Sequence, residues 1–77
     1  MPKDLRWAAI TLLDICQMPA TESNIAAFYN PNGNEEWIKG IIKKASPVPN
    51  STSYPFYEKA ILILQANGIN TNIYRVG

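Results

Sequence analysis

Few side chains in this sequence could perform catalysis, and their types exclude most common mechanisms. The 77 residues contain no histidine and a single cysteine, Cys16. A chain without histidine lacks the commonest general base, the commonest metal ligand and every nucleophile–histidine pair. A single cysteine cannot form an internal disulfide, and without histidine it cannot complete a structural zinc site.

The carboxylates are the remaining candidates for acid–base chemistry, and no two of them form a recognisable catalytic pair. They are Asp4, Asp14, Glu22, Glu35, Glu36 and Glu58. The two adjacent glutamates would point about 100° apart on a helix. Their place at the start of a predicted helix favours a role in helix electrostatics instead. We therefore expect a protein that is not an enzyme and that holds no metal and no cofactor.

Three lysines on one predicted helix are candidates for contacts with nucleic acid, and DNA is a second class of partner. A shorter helix precedes theirs, and the turn between the two, Asn30–Gly33, suits a helix-turn-helix. Ala27 and Trp37 keep the spacing that such a unit needs between a small and an apolar residue. Against this, glutamates occupy the end where base-reading side chains belong. The lysines are Lys39, Lys43 and Lys44.

An aromatic group around a proline is the candidate surface for a protein partner. Three rings in the segment SYPFY cannot easily all face inward, and aromatic side chains left at a surface are typical anchors of protein interfaces. The alternative is that Phe56 and Tyr57 are core and Tyr54 covers the preceding loop. A fourth ring near the C-terminus could extend the patch. The four candidates are Tyr54, Phe56, Tyr57 and Tyr74.

Hydrophobic periodicity predicts an all-α fold of four helices that forms one domain over residues 1–77. The predicted helices cover residues 4–17, 21–30, 34–45 and 54–67. The first is apolar around most of its circumference, so we expect the other three to cover it. Leu62 lies off the two apolar rows of the fourth helix, which predicts that this helix is also covered on several sides. Gly68 marks its end.

The C-terminal segment, Asn70–Gly77, is predicted to be extended. A single strand is not stable alone, so this segment could fray as a tail or pair with another chain in a homodimer. No stretch is long enough to cross a bilayer, and none resembles a signal peptide. We expect a cytoplasmic protein with no membrane partner.

These observations predict a small non-enzymatic module that binds another protein, as a regulator, an adaptor or an inhibitor of the kind made by phages and plasmids. The formal net charge of +1 gives no general attraction to nucleic acid. The alternative is a DNA-binding transcriptional regulator that uses the second and third helices.

Overall fold

Four α-helices form the fold in the computed structural model, which describes residues 2–72. No strand occurs in that range, so the predicted all-α class is confirmed. The predicted helix bounds agree with the observed ones to within two residues at every end. Residues 70–72 have no regular structure, and the rest of the predicted extended segment lies outside the described residues. The helices are α1 (Lys3–Ile15), α2 (Glu22–Tyr29), α3 (Glu35–Ala45) and α4 (Tyr54–Ala66).

The first helix is the centre of the structure, as its apolar circumference predicted. It packs against each of the other three helices, and most extensively against α4. Its own contribution to the core is made by side chains at helical spacing. They are Leu5, Ala8, Ala9, Leu12 and Leu13. Cys16 is buried just beyond the helix, where its thiol donates a hydrogen bond to the carbonyl oxygen of Leu13 at 3.4 Å.

The fourth helix has one buried side and one open side. Ala60 and Leu64 are fully buried, with Tyr57 and Ile61 packed beside the core. By contrast, the side chain of Leu62 is 65% exposed. The prediction that α4 is covered on several sides is therefore wrong for its outer side. The reason is that only α1 packs extensively on this helix, and one neighbour covers one face.

Two helix ends use the same backbone motif with different residues. After α4, Gly68 has a positive φ of 77°, and the N–H of Ile69 donates to the carbonyl of Leu64 at 3.0 Å. This is a Schellman motif, and it ends the helix at the glycine that the sequence indicated. After α1, Gln17 takes the same left-handed position with φ 59°, and the N–H of Met18 donates to the carbonyl of Leu13 at 2.9 Å. The sequence did not indicate this second motif.

Polar contacts fix the start of α2 against α1. Thr21 caps the helix, because its hydroxyl accepts a hydrogen bond from the N–H of Asn24 at 3.1 Å. Two guanidinium nitrogens of Arg6 donate to the Glu22 carboxylate, at 2.7 and 3.2 Å. The Arg6 guanidinium lowers the pKa of Glu22, first through this hydrogen bonding and then through charge attraction. Both side chains remain exposed to water.

Candidate protein-binding surface

A shallow groove of about 230 Å³ runs between α1 and the start of α4. We call it the α1–α4 groove. Its apolar walls come from Trp7 and Ile15 on α1 and from Phe56 on α4. The remaining lining side chains are polar: Thr11, Asp14 and Ser53. The groove forms because α1 residues separated by about one turn project toward the same side of the helix.

The ring of Phe56 is the clearest anomaly of the groove. This side chain is 56% exposed, although it lies beside the apolar walls formed by Trp7 and Ile15. The buried core includes neither Phe56 nor Leu62. A ring left mostly in water contributes only part of its transfer free energy to folding.

A cation lies over the aromatic wall of the groove. The ammonium nitrogen of Lys59 is 5.0 Å from the centroid of the Trp7 ring, within the range of a cation–π contact. Trp7 is half-buried and packs against the edge of the core. Packing against the core holds the Trp7 ring in place, and the ring face contacts a positive charge.

One carboxylate lies at the groove without a hydrogen-bond or ion-pair partner among the described residues. Asp14 is exposed, and among residues 2–72 no hydrogen bond or ion pair involves its side chain. It lies in the last turn of α1, which carries no basic residue. The helix dipole disfavours a negative charge at that end. Helix stability therefore gives no reason for a carboxylate at this position.

The predicted aromatic group is divided between two sides of α4. The rings of Tyr54 and Tyr57 lie together, with centroids 6.4 Å apart, and Tyr57 packs against the core. Phe56 lies in the α1–α4 groove, because consecutive helical residues point in different directions. Tyr74 lies outside the described residues. Whether these side chains bind a partner stays a prediction, as does a homodimer through the C-terminal segment.

Sequence reasoning did not assign Trp7, Thr11, Asp14 and Ile15 to a site. Trp7 and Ile15 are apolar residues of α1, while Thr11 and Asp14 are polar residues of the same helix. The available signal was their spacing, since residues 7, 11, 14 and 15 share one side of a helix. The proximity of that side to Phe56 depends on tertiary packing.

The lysine candidates lie on the outer side of α3, and they differ in environment. Lys43 and Lys44 are exposed in its last turn. Lys39 is half-buried, and its ammonium lies 3.9 Å from a carboxylate oxygen of Glu36. Glu35 and Glu36 are exposed at the start of the helix, where they place negative charge near the expected base-reading end.

The second and third helices are in contact through two aromatic rings. Phe28 and Trp37 meet edge to face, with centroids 5.8 Å apart and planes inclined by 68°. Phe28 is fully buried, and Trp37 covers its edge. This contact explains the apolar residue at the start of α3 as part of the core. Trp37, one of the two residues that suggested a DNA-binding unit, therefore also has a packing role.

Comparison of the chain with protein-family models, with curated proteins and with solved structures found no match. Within residues 2–72, no group of three or more histidine, cysteine, aspartate or glutamate residues is placed to hold a metal ion. In the same range, none of the helices combines the length and apolar character that crossing a membrane requires.

Proposed function

We propose that this protein is a small non-enzymatic binding module whose partner is another protein, and that the α1–α4 groove is its contact surface. The observation that carries the proposal is Phe56, which is more than half exposed beside two apolar groove walls. Aromatic side chains are enriched among the residues that dominate protein interfaces. Covering this ring with a partner would recover the burial that the fold leaves unused.

The shape of the groove supports a protein partner over a small molecule. Its volume of about 230 Å³ is below the roughly 300–1,000 Å³ of small-molecule pockets. A groove of this size accommodates one or two side chains from another surface. The flanking helices then provide the flat rim that a protein interface uses.

Photo-crosslinking from the groove tests this function. A benzoylphenylalanine replaces Phe56 in one variant and Leu62 in the control, and both variants are expressed in cells that make the protein. Both positions are exposed on α4, but Leu62 does not line the groove. We expect a discrete protein adduct from position 56 and none from position 62. Equal adducts from both positions, or none from position 56, would contradict the proposal.

DNA binding is the second candidate, and the exposure of Lys43 and Lys44 favours it. Mixed-sequence duplex DNA, titrated with the protein at low and moderate salt, tests it. Proteins that contact phosphates lose affinity steeply as salt increases. Binding with that dependence, abolished in Lys43→Glu with Lys44→Glu, would favour DNA. We expect no binding of this kind.

A further inference from the structure

The α1–α4 groove combines three features that suit one kind of side chain. The rings of Trp7 and Phe56 form aromatic walls, and Asp14 places a carboxylate on the same lining. That carboxylate has no partner among the described residues and lies at an unfavourable helix end. A ligand that is both cationic and flat would satisfy all three groups.

We propose that the groove receives an arginine side chain of the partner protein, and this inference rests on the proposed function. A guanidinium is planar and always charged, it stacks on aromatic faces, and its fork of donors matches a carboxylate. The Trp7 ring has the ammonium of Lys59 at 5.0 Å, and the arriving guanidinium replaces that ammonium on the ring. Asp14 provides the charge complement that selects a cation over a neutral apolar residue.

The chemistry favours arginine over lysine as the occupant. A lysine ammonium is a compact and strongly hydrated charge, whereas a guanidinium loses less hydration on stacking. The hydroxyls of Thr11 and Ser53 lie on the same lining and can accept further N–H donors. Arginine is also enriched at interface hot spots.

The test uses small probes and the two tryptophans of the chain. The blocked amino acid N-acetyl-arginine methylamide is titrated into labelled protein, and the indole N–H resonances are followed by NMR. Trp7 lines the groove, while Trp37 packs on Phe28 and serves as an internal control. We expect a saturable shift of the Trp7 resonance alone. The neutral citrulline analogue, which has the same shape, should bind at least about fivefold more weakly because it cannot pair with a carboxylate.

Two variants assign the effect to the carboxylate. Asp14→Asn should weaken the arginine probe at least about fivefold, because it removes the charge and keeps the shape. Asp4→Asn is the matched control on the same helix, and it should leave the affinity unchanged. Thermal denaturation of both variants confirms that they fold. Unchanged arginine affinity in folded Asp14→Asn, or equal affinity for the citrulline analogue, would overturn the proposal.

A leucine probe separates this inference from the proposed function. If N-acetyl-leucine methylamide shifts the Trp7 resonance and the arginine probe does not, the arginine proposal fails and an apolar protein contact at the groove stands. If the arginine probe behaves as expected but crosslinking from position 56 gives no protein adduct, the arginine site stands and the proposed function fails.

Discussion

The α4 side and the α2 side of α1 differ in the contacts between the helices and in the side chains that stay exposed nearby. Toward α4, the contact is apolar, and the surface beside it exposes the ring of Phe56. Toward α2, an exposed ion pair of Arg6 with Glu22 supplements the packing, and α3, which also packs on α1, exposes lysines. Helix electrostatics accounts for lysines in a last turn. Helix electrostatics gives no such account of the exposed Phe56 ring, and we place the function on the α4 side.

The largest predicted effect tests whether only the buried side of α4 contributes to the stability of the fold. Leu64→Ala should lower the free energy of unfolding by about 2–5 kcal/mol, because Leu64 is fully buried. Leu62→Ala on the same helix should change it by less than about 0.5 kcal/mol, because that side chain is exposed. Urea denaturation of both variants measures the difference. Similar losses at the two positions would mean that the outer side is also structural.

The second prediction compares the two Schellman ends. Gly68→Ala should destabilise the protein by about 1 kcal/mol, because a residue with a Cβ is strained at positive φ. Gln17→Gly should stabilise it by up to about 1 kcal/mol for the same reason, less the entropy that glycine gains when unfolded. Melting temperatures of the two variants should therefore move in opposite directions. A lower melting temperature for Gln17→Gly would show that its side chain makes contacts worth more than the strain.

These two ends also show how far the sequence predicts the fold. The helix end at Gly68 was predictable because glycine is the usual residue at a left-handed helix end. The end at Gln17 was not, since a residue with a Cβ seldom takes a left-handed conformation. A threonine before a helix favours a cap, and the wide apolar face of α1 predicted its central position.

The site was less predictable than the fold. Phe56 was named from its residue type, but grouped with Tyr54 and Tyr57, which lie together elsewhere on α4. Trp7 and Asp14 belong to a different helix, and only tertiary packing brings them to the same groove. Periodicity tells which residues share a helix face but not which other helix meets that face.

The third prediction concerns the lysine side. Gly40 lies on the exposed face of α3, and a Cβ at this position would meet nothing within 4 Å. Gly40→Ala should therefore stabilise the protein by about 1 kcal/mol through helix propensity alone. It should leave partner binding unchanged, because we place the partner on the α4 side. A stable Gly40→Ala variant that loses its partner would move the interface to α3 and reverse the comparison.

The smallest prediction concerns the ion pair on the α2 side. Because the pKa of Glu22 is lowered in the folded state, its stabilising effect is present above the ordinary glutamate pKa of about 4.3 and disappears as the pH falls through the lowered value. Glu22→Gln should thus be less stable than the parent at pH 7 and equal to it in strong acid. Glu58→Gln, which removes an exposed carboxylate on α4, is the control and should show no such loss at pH 7. A Glu22→Gln deficit that persists in strong acid, where the Glu22 carboxyl is protonated, would contradict the ion pair as its cause.

The most direct test of the central claim is the affinity of the crosslinked partner for two charge variants of the full chain. Phe56→Glu places a charge in the α1–α4 groove, and Lys43→Glu with Lys44→Glu reverses the charge of the α3 surface. Calorimetry should give a loss of about 30-fold or more for Phe56→Glu, the size expected at an interface hot spot, and less than about threefold for the lysine variant. The opposite result, with the lysine variant losing the partner and Phe56→Glu keeping it, would contradict the assignment of the binding surface to the groove.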